Sequence, residues 1–369
     1  MKNYKKILLQ IIMLALFTVI SCKKDTPADP NEPLISRMKA VTDSIIQNTH
    51  VPGVVALVVD YNKGIDWLYT AGYSDIPNKL PMDGSYTFRI ASVTKTMTVT
   101  VLLQLVDEGK LSLNDKLSKY FPTYPKSDSI TIAMLCNMTS GISNYNGNPV
   151  FQQTKTENPQ KVWSPQELVD MGLSQFYFSP GTSYAYSNTN TYIVGQIIES
   201  LTGTTLETEI NNRIIIPLNL SKTGFLTSGL TFPGPHGRGY CWGLYKENED
   251  LTEYYDISMA WAAGSAYATP RELLKYAEAL VKGGLISDSL QYRRLHDMVP
   301  VSAGTDYGLG IFHRKSFYGH NGIAPGYTVS MYHSLVKDCT VIIYFNSAIE
   351  VQPDALFYRF MDILYGNDY

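Results

Sequence analysis

Ser92 and Lys95 stand three positions apart in Phe88-Arg89-Ile90-Ala91-Ser92-Val93-Thr94-Lys95, at the head of an apolar run that ends at Gly109. On a helix, positions three apart share a face, so this spacing puts an amine beside a hydroxyl. A serine hydroxyl is a weak nucleophile until a neighbour takes its proton. A lysine does this when a dehydrated site disfavours its charged form. If Ser92 opens the helix, the free N–H groups and positive dipole end also stabilise the oxyanion formed as it attacks a carbonyl. One turn thereby supplies nucleophile, base and part of an oxyanion site.

Spacing alone does not select this pair, because Ser21 with Lys24, Ser36 with Lys39 and Ser334 with Lys337 share it. Local pattern even opposes it. Residues 93–101 carry threonine at every even position, the period and β-branched content of a strand. In a strand the two side chains would point to opposite faces. The continuation Leu102-Leu103-Gln104-Leu105-Val106-Asp107-Glu108 makes the run too long for an ordinary strand, and Gly109 suits a helix C-terminus, so the expectation is a helix.

The elements that must position this pair follow from hydrophobic period and turn residues. Leu34, Met38, Val41 and Ile45 repeat on one helical face. Val54 to Asp60 reads as an apolar strand, returned by Tyr61-Asn62-Lys63-Gly64 as Ile65 to Ala71. Helix signals dominate from Gly109 to about Tyr255: Ser164-Pro165-Gln166-Glu167 is a capping box with proline at the first helical position, and Tyr192 to Leu201 and Leu206 to Ile216 follow. Thr269-Pro270-Arg271-Glu272 repeats the start signal before Leu273 to Val281. Strands return at Tyr307 to His313, Tyr327 to His333 and Cys339 to Phe345, and Ala355 to Leu364 is an amphipathic helix. The expectation is an α+β fold, an antiparallel sheet flanked by helices. Its sheet part is expected at about 34–108 and 256–369, with a mainly helical insertion at about 109–255.

With 369 residues and a net charge of −3, the chain is long enough for a sizeable core and too little basic for a nucleic-acid partner. Lys2, Lys5 and Lys6 precede an apolar run from Ile7 to Ile20, short for a membrane span and suited to a signal peptide over residues 1–22. Its end, Val19-Ile20-Ser21-Cys22, resembles the bacterial lipoprotein box, which implies acylation of Cys22, a membrane partner through that anchor, and an exported address in the bacterial cell envelope. Residues 23–33, polar and proline-punctuated, read as a tether to a domain spanning 34–369. Cys136, Cys241 and Cys339 are expected as buried thiols.

Set beside two later stretches, Ser92-Val93-Thr94-Lys95 resembles the first motif of the serine β-lactamase and penicillin-recognising family. The nearest branch holds class C β-lactamases, D-alanyl-D-alanine carboxypeptidases, D-aminopeptidases and esterases. Its second motif, Tyr-x-Asn, matches Tyr186-Ser187-Asn188 after Phe178-Ser179-Pro180-Gly181. Its third, Lys or His before x-Gly, matches His320-Asn321-Gly322. Thr139-Ser140-Gly141-Ile142, Ile216-Pro217-Leu218, Ala263-Gly264 and Tyr307-Gly308-Leu309-Gly310 agree as flanking text, and the resemblance covers residues 34 to 365. Lys222-Thr223-Gly224 copies the third motif literally but falls in the helical region, so His320 is preferred, as Tyr186 is over Tyr344 and Tyr365.

The resemblance implies roles. Ser92 attacks a carbonyl, Lys95 and Tyr186 move its proton, and Asn188 hydrogen-bonds the lysine and the substrate amide. The N–H groups of Ser92 and Ile323 form the oxyanion hole, with Asn321 and Gly322 beside the substrate. The implied activity is that of a carboxypeptidase- or esterase-like serine hydrolase working through an acyl-enzyme, with no cofactor and no metal. Its substrate is a small molecule or peptide: an ester, a D-amino-acid peptide or a β-lactam. A class C-type β-lactamase and a non-catalytic penicillin-binding-like protein are the alternatives. There is no His-Glu-x-x-His for zinc and no Gly-x-Ser-x-Gly for an α/β-hydrolase.

Two departures matter. Met138 stands where a histidine commonly precedes Thr-Ser-Gly, a position that bears on stability. His320 replaces lysine. A unit charge about 4 Å away is worth roughly 4 kcal/mol at an effective dielectric of 20, about three pKa units, so lysine would depress the Tyr186 pKa at any ordinary pH. His320 is expected to do so only below its own pKa, near 6.5 if unshifted, so tyrosinate is expected to be less populated at rest here than in a class C β-lactamase.

Overall fold

The computed structural model describes residues 30–242, 249–348 and 351–369. The expected signal peptide, Cys22 and the tether through Asp29 lie outside the described residues. The chain divides between Pro33 and Leu34, and the following concerns Leu34–Tyr369.

A nine-stranded antiparallel sheet is its centre. Numbered along the chain, the strands are β1 (Gly53–Asp60), β2 (Ile65–Asp75), β3 (Leu80–Pro81), β4 (Val299–Ser302), β5 (Thr305–Tyr307), β6 (Phe312–Arg314), β7 (Phe317–Ala324), β8 (Tyr327–Ser334) and β9 (Cys339–Phe345). They lie in the order β3-β2-β1-β9-β8-β7-β6-β5-β4, so the first hairpin joins the last strands through the β1–β9 pairing of Val54 with Phe345 to Asp60 with Cys339. Every residue of β1 and β9 is buried because both faces are covered. Val54, Ala56 and Val58 pack with helices α1 (Glu32–Asn48) and, at the C-terminus, Pro353–Tyr365. Val55, Leu57 and Val59 pack into the opposite layer with the helix Thr94–Asp107, α2, and with Pro270–Lys282. Alternation along one strand thus feeds two cores, an uninterrupted apolar run being the sequence form of a doubly covered strand. The fold is of the expected α+β class, helices flanking an antiparallel sheet.

The conflict at residues 93–101 resolves to helix. Residues 94–103 and Leu105 of α2 are all buried, so tertiary burial overrides local strand preference. The threonines are tolerated because their hydroxyls are satisfied. Thr96 Oγ1 donates to the Val93 carbonyl (2.7 Å), Thr98 Oγ1 to that of Ala262 (2.8 Å) and Thr100 Oγ1 to that of Thr96 (2.6 Å), while Thr94 Oγ1 accepts from Ala266 N–H (3.1 Å). Gly109, at φ +70°, ends the run.

Other boundaries shift. Glu32 and Pro33 begin α1 and not a tether. The single strand expected over Tyr307 to His313 is two, β5 and β6, because the chain turns at Gly308 to Ile311 where Gly310, at φ +73°, presses against Val99 of α2. The helix expected over Leu206 to Ile216 is α-helical only to Ile210 and widens to a π-turn over Asn211–Ile215. The capping boxes read at Ser164 and the start at Thr269 cap Pro165–Leu173 and Pro270–Lys282. Cys136, Cys241 and Cys339 are buried and form no disulfide among the described residues.

Candidate active site

Ser92 is the middle residue of a single 3-10 turn, Ala91–Val93, that runs straight into α2. Its N–H therefore belongs to the first turn, where no intrahelical partner exists. The residue before it, Ala91, is held at φ +45°, a conformation that costs an alanine about 1–3 kcal/mol and persists only where the surroundings impose it. The surroundings are β7, which lies against the turn. A Cβ on Gly322 would sit 2.6 Å from the Ile90 carbonyl oxygen and 2.9 Å from both Ala91 Cβ and Ser92 N.

Lys95, fully buried, donates to Ser92 Oγ (3.0 Å) and to the Ala263 carbonyl (2.8 Å). Its Nζ lies 4.9 Å from the centre of the Tyr186 ring. No carboxylate pairs with it among the described residues, and burial holds its pKa well below the ordinary lysine value. Burial therefore favours the neutral amine, the form that can take the serine proton.

Tyr186 is placed by the Thr139-Ser140-Gly141 loop. Ala185 N–H donates to the Met138 carbonyl (3.0 Å), and Gly181 N–H to the Thr139 carbonyl (2.8 Å). Ser187 Oγ and Thr189 Oγ1 both donate to the Ser143 carbonyl (3.0 and 2.8 Å). Met138 itself is buried and accepts Asn190 Nδ2 on its sulfur (3.3 Å), which is the structural use of that position. The Tyr186 hydroxyl is shut from solvent and has no hydrogen-bond partner among the described residues. Burial pushes its pKa well up, and the Ser92 side chain opposes this, lying near enough to favour phenolate without hydrogen-bond geometry between them.

His320 and Gly322 share one face of β7. His320 is buried, with Nδ1 donating to the Asn321 carbonyl (2.5 Å) and Nε2 accepting from the Tyr307 hydroxyl (3.2 Å). Its ring packs against those of Phe312 (4.8 Å between centres), Tyr307 (5.8 Å) and Tyr186 (6.0 Å). Burial first, then the charge of Lys95, pushes the His320 pKa down to about 3. The titration expected near 6.5 is therefore displaced, the imidazole staying neutral from pH 5 to 8, and with the Tyr186 pKa raised by burial this accords with the expected scarcity of tyrosinate. A pH dependence of stability follows from the displacement. Between about pH 6.5 and 3 the unfolded histidine binds a proton that the folded one refuses, so stability falls as pH falls, by up to roughly 1.4 kcal/mol per pH unit. In urea titrations at pH 7 and pH 5, His320→Gln is expected to lose less stability on acidification than the wild type.

Two further expectations are corrected. Asn321 points away from the cleft, as strand alternation from His320 requires, and its Nδ2 donates to Asp354 Oδ2 (2.7 Å), where Arg314 and Ser330 also bind. It braces β7 and contacts no substrate space. Asn188 lines the cleft but does not bond Lys95, whose partners are Ser92 and Ala263. Lys222, the literal copy of the third motif, is exposed, with its N–H bonded to Glu272.

The cleft itself, about 160 Å³, is lined by Ser92, Asn188 and the exposed Ile323 together with Tyr145, Phe151 and Met259 among others, while Lys95, Tyr186 and His320 lie behind the serine. Sequence reasoning missed the Ala263 carbonyl and the Tyr307 hydroxyl as partners. Both lie in the short stretches that had matched only as flanking text. No group of acidic, histidine or cysteine side chains among the described residues could hold a metal ion.

A seryl hydroxyl bonded to a buried lysine, on a turn packed against strand β7 of this sheet, is an arrangement suited to a serine hydrolase, and the comparisons agree. The chain belongs to the beta-lactamase family, whose model matches residues 38–362, and its relatives in that family are serine hydrolases. It is 28% identical to a D-stereospecific amidohydrolase from Streptomyces sp., with TM-score 0.81 over 90% of this chain and 98% of that one. Against D-amino acid amidase from Ochrobactrum anthropi the identity is 27% and the TM-score 0.80, covering 91% and 100%. A D-aminopeptidase of Cereibacter sphaeroides is 26% identical over 74% of this chain, which spans only 53% of that protein's length.

Proposed function

We propose that this chain is a carboxypeptidase- or esterase-like serine hydrolase that cleaves an amide or ester through an acyl-enzyme on Ser92. The observation that carries the proposal is the fully buried Lys95 amine, lacking a carboxylate partner and 3.0 Å from Ser92 Oγ. As Ser92 attacks, its proton passes to Lys95. The Tyr186 phenol, proton in place, then serves to protonate the leaving group and recover that proton from the amine. The N–H groups of Ser92 and Ile323 receive the oxyanion, since Gly322 brings the Ile323 peptide against the serine's turn. Asn188, free of Lys95, is left to meet the substrate amide. Water then releases the acyl group.

A class C-type β-lactamase is the second reading, and the uncharged His320 weighs against it, because no cation stands at the third motif to meet a β-lactam carboxylate. The amide-cleaving relatives weigh for the first. A fluorescent phosphonate is expected to label the wild type once, at Ser92, and Ser92→Ala not at all. A panel of nitrocefin, short-chain nitrophenyl esters and D-alanyl peptides is expected to show turnover of esters or peptides above nitrocefin. Absence of labelling would leave a non-catalytic penicillin-binding-like protein. Export and lipid anchoring at Cys22 remain part of the proposal, checked by palmitate incorporation that Cys22→Ser abolishes.

A further inference from the structure

Resting on the reading of the cleft as a hydrolase site, we infer that the substrate carries a carboxylate, received by the Lys155 ammonium, and does not carry a free amino group there. Lys155 lines the same cleft as Ser92, on the helix Pro149–Glu157 that forms the wall beyond Tyr145 and Phe151. No aspartate or glutamate is among the described residues of that lining, so Lys155 is its one formal charge. The side chain is half-buried, with its Nζ 5.3 Å from the centre of the Tyr255 ring, and it makes no ion pair or hydrogen bond among the described residues. By contrast Lys161, at the far end of the loop that follows this helix, is paired with Glu167 at 2.9 Å.

An ammonium withdrawn from water without a counter-ion is destabilised, as the lowering of its pKa by burial reflects. A ligand carboxylate removes that cost and adds a charge-assisted hydrogen bond. A substrate amine at the same place would face a like charge and find no acceptor of opposite sign. Apolar walls from Tyr145, Phe151 and Met259 raise both effects by excluding water. The cleft thus separates two chemistries present among the relatives. A substrate with a free amino terminus does not suit it, whereas an ester or peptide with an acidic side group or a terminal carboxylate does.

The test uses nitrophenyl esters matched in length that end in a carboxylate, a neutral carboxamide or an amine, and the corresponding D-alanyl peptides with a free or amidated C-terminus. The wild type is expected to favour the carboxylate over the carboxamide by at least about tenfold in kcat/KM, mainly through KM, with the amine poorest. Lys155→Met is expected to bring the carboxylate-to-carboxamide ratio near one, Lys155→Arg to keep it, and Lys155→Glu to invert the order in favour of the amine. Phosphonate labelling of Ser92 in each variant reports that it is folded. A wild type that is indifferent to the carboxylate or prefers the amine overturns the inference without any variant, as does a preference that survives Lys155→Met. Absence of both labelling and turnover in the wild type would instead overturn the hydrolase reading.

Discussion

Lys95→Met is expected to lower the rate at which Ser92 is acylated by about 10²–10⁴-fold, the range that a positioned proton acceptor contributes, while the protein stays folded. The two effects separate because the amine is costly where it sits. Lys95 is fully buried among α2, Ala263 and the Tyr186 ring, with desolvation unopposed by any carboxylate. Methionine fills similar space without that desolvation. Against this, the Ala263 carbonyl loses its 2.8 Å hydrogen bond, a loss of about 1–3 kcal/mol when an acceptor is left buried. The melting temperature should therefore move by a few degrees at most, in a direction set by these opposing terms. A collapse of folding would show that Lys95 is principally a structural group. Unchanged acylation would remove it as the base. In the wild type, acylation should fall as the pH is lowered through the depressed pKa of Lys95 and hold above it, because only the neutral amine accepts the proton.

Gly322→Val is expected to reduce acylation by about 10²-fold or more, the penalty associated with roughly 1 Å of misplacement. A side chain there meets the Ile90 carbonyl oxygen at 2.6 Å and Ser92 N at 2.9 Å. These are backbone atoms of the turn that carries the nucleophile. Neither side yields readily: Ala91 is already at φ +45°, and β7 is held by its pairing with β8 from Tyr318 opposite His333 to Ala324 opposite Tyr327. Relief has to come from separating strand and turn, which moves the Ile323 peptide away from Ser92. Gly237→Ala serves as control, because a Cβ there meets only ordinary contacts at 3.5–3.7 Å and should leave acylation as it is. Stopped-flow labelling with the phosphonate measures both. Equal rates for Gly322→Val and the wild type would mean that the oxyanion is received elsewhere.

Much of this arrangement was open to reading from residue types. The hydroxyl and amine three apart were legible in the spacing, whereas the Tyr186 and His320 motifs and the preference for His320 over Lys222 came from the family resemblance. The long apolar strands β1, β8 and β9 and the capped helices after Ser164 and Thr269 required only period and turn chemistry, which are local properties. What stayed hidden was long-range. Alternation along β7 says that His320 and Asn321 face opposite ways, but only packing shows that Asn321 is the one turned to Asp354. The same holds for Lys155, an unremarkable helical lysine until the fold sets it in the lining of the cleft that Ser92 also lines.

The sequence by itself determined which groups are available for chemistry: a hydroxyl and an amine one turn apart, a phenol and an imidazole far along the chain, and the periodic apolar faces that build a doubly covered sheet. Tertiary structure alone decided their states. Residues 93–101 became helix because burial on nearly every side outweighed a strand-like pattern, and the pKa values of Lys95 and His320 fell because the finished core withholds the water that their charges need. Helix period and motif spacing are fixed by covalent neighbours, whereas desolvation depends on every element that closes over a group, and so exists only once the chain has folded.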